Sequence, residues 1–410
     1  MTLTLPSRIA FSYLLRRTTL SRPRSTVHCP KLWSPLQQAV LSELSIPSND
    51  NNRPRYSSTS SKEDDVVMVS IEDAQSTTAK ALERIGWDAN DAAIQAEIMT
   101  TAEVCGNNQG LVKMYDPFQM LPAQNAGKPK LERVTQNSAV VNAMQAPGML
   151  GAVTAADQAV KLLQDNPQQA ISIVTCYNTS TSSGQLAFYV DRLARQGYVG
   201  LAAANSPELV SAAPGAQPVF GTNPLAVGIP TKQGDEPFTF DMATSAVALF
   251  GVLSAKAKGQ PLPTGVAYDA TGQFTTDAAA VLDGGSIATF GGHKGLGLAL
   301  CVELLAGALS GSAVLGQVPS KKEAKNWGHV FIGIQPNLLV DDYNSKVSSI
   351  LETVRASAGN GNQIRIPGQR STETAQEHRS KGIVPVPSKI WESILRTAQH
   401  GLPEKRGKGS

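Results

Sequence analysis

Apolar and polar positions alternate along most of the chain with two recognisable periods. In "VVMVSIEDAQSTTAKALERIGWDANDAAIQAEIMTTAEV" a short apolar strand leads into two helical stretches. Ser70 with Asp73 predicts a capped start for the first helix, Gly86 its end, and Asp88 or Asn90 the start of the second. Strand-like runs then follow in "AISIVTCY", "GYVGLAAAN", "NPLAVGIP", "FTFDMAT" and "HVFIGIQP". Among them, helices are predicted from about Gly184 to Gln196 and from about Ser245 to Lys258. "GGHKGLGLALCVELLAGALSGSAVLG" reads as a glycine turn feeding a long helix, whose small residues Gly297, Ala306, Ala308 and Gly311 predict close packing on a neighbour. "SKIWESILRTAQH" predicts a last helix, and the polar "PEKRGKGS" a frayed tail. Strands interleaved with helices predict a mixed α/β fold.

The first stretch follows a different rule. From Met1 to Leu41 no acidic residue occurs, while Arg8, Arg16, Arg17, Arg22 and Arg24 are spaced among Ser, Thr and Leu. That composition predicts an organelle transit peptide and delivery to the mitochondrial matrix. "NDNNRPRYSSTSSKEDD" has little to bury and predicts a linker, with Arg55 to Ser57 as a candidate cleavage region.

Charge and cysteine content narrow the classes. The net charge is +3, with the basic residues gathered at the two ends, so no nucleic-acid surface is implied. The longest apolar run, Leu296 to Leu309, is interrupted by Glu303 and is too short to span a bilayer. Cys29, Cys105, Cys176 and Cys301 are far apart, which argues against a zinc knuckle or a disulfide scaffold and for four small buried hydrophobes. No metal site is expected. Neither the glycine-rich dinucleotide fingerprint nor the phosphate-loop pattern occurs. "GGHKGLG" nevertheless has the physics of an anion site: mobile glycines, a helix N-terminus and Lys294.

The blocks "GTNPLAVGIPT" (Gly221 to Thr231), "FDMATS" (Phe240 to Ser245), "GQPLPTGVAYDATGQFTTD" (Gly259 to Asp277), "FGGHKGLGLALCVELLAGALSG" (Phe290 to Gly311), "GHVFIGI" (Gly328 to Ile334) and "RIPGQR" (Arg365 to Arg370) resemble the malate/L-lactate dehydrogenase family. That family is distinct from the Rossmann-type enzymes of the same names and includes ureidoglycolate dehydrogenase and reductases of piperideine- and pyrroline-2-carboxylate. The resemblance runs in order from about Val66 to about Leu395. It implies a two-lobed α/β fold, usually dimeric, that passes hydride between NAD or NADP and the carbon beside a small carboxylate. It divides the chain into a leader and linker (1–62), a discontinuous substrate-side lobe (63–170 with 355–400), a dinucleotide-binding lobe (171–354) and a tail (401–410). Carried across, it puts Thr181, Ser182, Ser206, Asp241, Met242, Ala243, His293, Lys294, Gly295, Ile366, Pro367 and Gly368 at the cofactor.

Departures from the family pattern fall where its chemistry lies. Its loop of Asp-Ser-His-Gly and a later arginine is here Asn107, Asn108, Gln109, Gly110 and Lys113. Its Asn-Ser-X-His-aromatic-Gly segment is here "NTSTSSG", Asn178 to Gly184, and the Arg-Gly-Lys expected after "DMATS" is "ALFG", Ala248 to Gly251. Amides and hydroxyls do not titrate near neutral pH, so they can polarise a carbonyl but cannot supply its proton. The chain has five histidines, of which His28, His378 and His400 lie in the leader or C-terminal region. His329 precedes a strand and reads as structural, whereas the resemblance implies a place for His293 beside the cofactor, which makes it or a relayed water the candidate proton carrier. Asn108, Gln109 and Lys113 are then expected to hold and polarise the substrate. A cyclic imine would relax the need for an acid, and a catalytically silent dinucleotide-binding homologue is the rival of another class.

Overall fold

The computed structural model describes residues 66–107, 109–315, 317, 326–359 and 364–402. The leader, the linker, Asn108 and the tail from residue 403 lie outside the described residues. Strand β1 (Val66–Ser70) runs directly into α1 (Ile71–Arg84), and α2 (Ala89–Val104) follows. The Ser70 hydroxyl accepts from Asp73 N at 2.9 Å, and the Asp88 carboxylate accepts from Asn90 N and Asp91 N. Asp88, of the two candidates, is therefore the second cap.

Next come β2 (Lys130–Glu132), β3 (Ser138–Asn142), α3 (Gly148–Asp165), β4 (Ile171–Thr179), α4 (Ala187–Arg195), β5 (Val199–Ala204), β6 (Val210–Ser211), β7 (Pro218–Phe220), β8 (Leu225–Ile229) and β9 (Phe238–Met242). They are followed by α5 (Leu249–Lys258), β10 (Ala267–Tyr268), α6 (Ala278–Leu282), β11 (Ser286–Ala288), α7 (His293–Val302), β12 (Trp327–Ile334), α8 (Tyr343–Ala356), α9 (Gln369–Lys381), β13 (Ile383–Pro387) and α10 (Ser388–His400). The main sheet has seven strands in the order β2-β3-β4-β12-β5-β8-β9. Its only parallel pair is β3 with β4, and β12 enters between β4 and β5 antiparallel to both. This mixed sheet is not the parallel, doubly wound sheet of a Rossmann domain.

Helices α3 and α4 cover one face of the sheet through small residues. Ala152, Ala155, Ala156 and Ala159 of α3 are buried, and a Cβ on Gly228 of β8 would stand 2.2 Å from Val190 O of α4. A smaller sheet, β10-β11-β6-β7, has its own core of Val210, Phe220, Val252, Ile287 and neighbours. Strands β1 and β13 pair antiparallel and bring the two ends of the described chain together. In α10, Ile390, Ser393, Ile394 and Thr397 form the buried stripe, the spacing of one helical face.

Several local expectations are corrected. The helix expected from Gly184 starts at Ala187, and the one expected from Ser245 starts at Leu249. Residues 184–186 lead into a helix whose first amide is held by a side chain from β9, and Ser245 makes a β-bridge with Thr289. The long helix after "GGHKG" changes pitch, α7 passing into a π-helical turn over Glu303–Ala308. Of its expected small-residue face only Ala306 is buried; Gly297, Ala308 and Gly311 face solvent. Cys176 is a buried hydrophobe as expected, whereas Cys301 is exposed and Cys105 half-buried. Among the described residues no helix is long and apolar enough to cross a membrane.

Candidate active site

The loop after α2 is folded back on the helix that precedes it. Leu111 N donates to the Glu103 carboxylate at 3.0 Å, and Gln109 N to Asn107 Oδ1 at 3.0 Å. A Cβ on Gly110 would stand 2.1 Å from Met99 O, so the loop lies flat on α2 only because residue 110 has no side chain. Leu111 and Met114 of the 3₁₀ turn Leu111–Tyr115 are buried in the core. Their anchoring leaves Lys113 at the wall of a large cavity.

The second departing loop, Asn178 to Gly184, forms the facing wall. Asn178 adopts a left-handed φ of 62° and is held by Asn326 Oδ1 and Asn142 Oδ1. Gly148 N donates to Thr181 O at 3.1 Å, and a Cβ at Gly148 would collide with that oxygen at 2.4 Å. Tyr189 Oη donates to Ser183 O at 2.6 Å. The two loops then meet: Lys113 Nζ donates to Ser182 Oγ at 2.7 Å.

Across the cavity, a Cβ at Gly221 would stand 2.1 Å from Ser206 Oγ, and Ser206 N donates to Asn223 Oδ1 at 3.3 Å. Behind Ser206, the buried Glu303 carboxylate accepts from Asn223 Nδ2 at 2.8 Å, Leu315 N at 2.8 Å and Asn205 Nδ2 at 3.3 Å. The π-helical turn turns Glu303 inward to do so, a use typical of such turns. Asp241 at the end of β9 accepts from Ala187 N at 2.9 Å, at the N-terminus of α4. Gly368, at φ 84°, crosses β9 so closely that a Cβ would be 2.1 Å from Thr239 O.

One cavity of about 2570 Å³ joins these parts. It is lined by Gln109, Lys113, Thr181, Ser182, Ser206, Asp241, Met242, Ala243, Pro367 and Gly368. Ile366 is buried beside it without lining it. His293, Lys294 and Gly295 are not brought to it: the first two are exposed on the first turn of α7, and Gly295 packs where a Cβ would meet Phe290 O at 2.2 Å. The glycine-rich turn is thus a tight helix start, and His293 is exposed and does not line this cavity. His329 is fully buried on β12, and burial pulls its ring down to about 4, so it is a neutral core residue.

Burial also sets the protonation of the groups that do line the cavity. It pulls the Lys113 ammonium down to about 8, with no carboxylate in ion-pair reach among the described residues. It raises the Asp241 carboxyl to about 6 against the opposing effect of two backbone amides, those of Ala187 and Leu186. Glu103 is raised to about 7 against the Leu111 amide. Glu103, Asn205, Asn223 and Glu303 had no sequence signal as site residues. Glu103 and Glu303 stand out only as acids within apolar helical runs.

A cavity of this size exceeds the roughly 300–1,000 Å³ of a pocket for a drug-sized ligand and accommodates a dinucleotide with its substrate. Ser206, Asp241 and Gly368 give the cavity polar lining groups. A mixed sheet with such a cleft defines a dinucleotide-dependent enzyme that is not of Rossmann type. The family model for malate/L-lactate dehydrogenase matches residues 69–395. The chain is 30% identical over 328 residues to the malate/(S)-sulfolactate dehydrogenase of Methanothermus fervidus (77% of this chain, 93% of that protein). It is likewise 30% identical over 338 residues to Delta(1)-pyrroline-2-carboxylate reductase 1 of Burkholderia ambifaria (80% and 97%). Among solved structures, the delta1-piperideine-2-carboxylate reductase from Pseudomonas syringae pvar. tomato superposes with a TM-score of 0.73 at 27% identity, covering 81% of this chain and 99% of that one. The chain belongs to the malate/L-lactate dehydrogenase family and is an oxidoreductase.

Proposed function

We propose that the protein moves a hydride between NAD or NADP and a small 2-hydroxy or 2-keto acid. The observation that carries this reading is the meeting of two sets of residues in one cleft: Ser206, Asp241, Met242, Ala243, Pro367 and Gly368 on one side, Gln109 and Lys113 on the other. Bound along the first set, the nicotinamide supplies or accepts the hydride. Ser206, fixed by Gly221 and Asn223, and Asp241, fixed by the α4 amides, offer polar atoms that need not reorganise when the cofactor arrives. Gln109 carries an amide N–H to stabilise charge developing on the substrate oxygen, and Lys113 the positive charge that a carboxylate substrate calls for. Thr181 and Ser182 present hydroxyls between these two sets.

A cyclic-imine carboxylate is the second substrate class. It is favoured because no histidine lines the cavity among the described residues. A protonated iminium already carries its proton and needs only the hydride. The relatives named above include both chemistries.

The test is a titration of the full chain with NADH and with NADPH, followed by nicotinamide fluorescence, on wild type and Gln109→Ala. Gln109→Ala is expected to lower turnover about 100-fold, the usual cost of one oxyanion donor, and to leave dinucleotide affinity within about two-fold. Equal loss of both refutes the division of labour.

The exposed Leu300, Leu304, Leu305 and Leu309 on α7 and its π-helical continuation make an apolar face of the kind that covers another subunit. We propose a homodimer through that face; Leu304→Glu should then sediment as a monomer, and an unchanged sedimentation coefficient sinks this interface. The acid-free, arginine-bearing first stretch supports delivery to the mitochondrial matrix, which import of the full chain into isolated mitochondria tests; a chain that stays outside contradicts it.

A further inference from the structure

Among the described residues, the Lys113 ammonium at the wall of the cleft has no counter-ion in ion-pair reach. Lys113 is carried on a 3₁₀ turn locked at both ends, by Leu111 N on the Glu103 carboxylate and by Met114 O accepting from Ser393 Oγ at 2.8 Å. Among the described residues its side chain makes no ion pair, and its polar contact is the hydroxyl of Ser182 at 2.7 Å. Ser182 belongs to the other rebuilt loop, and its backbone is fixed by Gly148, where a Cβ would come within 2.7 Å of the Ser182 carbonyl carbon. A lysine meant only to hold a carboxylate has no need of a serine immobilised between two rigid walls. A lysine meant to pass a proton does.

We propose that Lys113, acting through the hydroxyl of Ser182, is the proton donor for carbonyl reduction, replacing the histidine that both loops lack. The inference rests on the oxidoreductase reading above and deepens it. As the hydride forms the new C–H bond, the π pair of the C=O bond moves onto oxygen. That oxygen takes the Ser182 proton, the Ser182 O–H bond breaking as the substrate O–H bond forms. Ser182 Oγ regains a proton from Nζ of Lys113, which is left as a neutral amine and is recharged from solvent. In the oxidising direction each transfer reverses. The lowered affinity of the buried ammonium for its proton suits this role, because an ordinary lysine holds its proton too tightly to yield it near neutral pH.

Two other groups facing the cavity also titrate close to neutrality, Glu103 and Asp241. Each carboxylate is engaged with backbone amides of its own wall, Leu111 for Glu103 and Ala187 for Asp241. Cys105 and Arg379 also line the cavity; burial pushes the Cys105 thiol up, away from neutrality.

The experiment has two readouts on the full chain. In the first, lysine acylation by acetic anhydride is followed peptide by peptide as pH is varied, without cofactor. Lys113 is expected to react with a midpoint near 8, and a midpoint in the ordinary range of about 10 overturns the inference. In the second, Ser182→Ala, Lys113→Gln and Lys113→Arg are assayed with a 2-keto acid and with a cyclic-imine carboxylate. All three should lower kcat for the keto acid at least about 100-fold, the usual worth of general acid catalysis, with dinucleotide affinity unchanged in the two Lys113 variants and with Ser182→Ala far milder on the imine. Recovery of kcat in Lys113→Arg, with the loss confined to KM, assigns Lys113 to the carboxylate alone and overturns the proposal. Absence of turnover by wild type with dinucleotide bound overturns the reading of function instead, whatever the acylation midpoint.

Discussion

Glu303→Ala should destabilise the fold by about 1–3 kcal/mol, the cost of leaving a buried hydrogen-bonding group without its partner. The carboxylate is 4% exposed and accepts from Leu315 N, Asn223 Nδ2 and Asn205 Nδ2. Its removal leaves Leu315 N without that acceptor. The Asn223 amide retains only a 3.4 Å contact to Ala299 O, whereas the Asn205 amide keeps Ala313 O at 2.8 Å. Because Asn223 also holds Ser206 N, the damage reaches the cofactor side of the cleft, and dinucleotide affinity should fall with stability. Glu303→Gln keeps an acceptor and should cost less than half as much. Urea unfolding of the two variants decides it, and equal midpoints for Glu303→Ala and wild type contradict the network.

Asp241→Leu carries the second large effect. The amides of Leu186 and Ala187, which open α4 at the cavity wall, lose their acceptor, at a cost of about 1–2 kcal/mol for part-buried N–H groups, and dinucleotide affinity should drop by about 100-fold, about 3 kcal/mol. The milder Asp241→Asn isolates the charge. Burial raises the Asp241 carboxyl from 3.8 to about 6, so its ionisation works against folding: its contribution is most favourable below pH 4 and is lost as pH rises through 6. Wild type should therefore lose stability relative to Asp241→Asn between pH 4 and 7, by on the order of 1–3 kcal/mol. A difference independent of pH would show that the carboxyl is not buried in the way described.

Much of this arrangement was legible in the residues. The caps at Ser70 and Asp88 and the strand segments follow from local patterns, and local chemistry fixes them, whereas Ser206, Asp241, Pro367 and Gly368 were reached through the family resemblance, and the structure brings them to one cavity. Other features depend on partners distant in sequence. Nothing in "GHVFIGI" indicates that β12 would insert between β4 and β5, since strand order is settled by which faces must be covered. His293 could be put at the start of a helix but not on a side of it; the packing of α7 on the small core turns that first turn to solvent. Lys113 and Ser182 meet across 69 positions, and the protonation of Glu103 and Lys113 is set by burial, which no motif reports. The lost histidines were legible, but the lysine and serine that stand in their region could be related to each other only in three dimensions.

The proposed activity of this cleft is hydride transfer to or from a small carboxylate substrate. Its most direct measurement is the oxidation of NADH and NADPH by the full chain over a panel of 2-keto acids and cyclic-imine carboxylates, with the matching uncharged amides as controls. Oxidation of at least one dinucleotide with a carboxylate substrate, and none with its amide, is the predicted result. Binding of a dinucleotide without oxidation across the panel would make the protein a silent member of its family and contradict the claim.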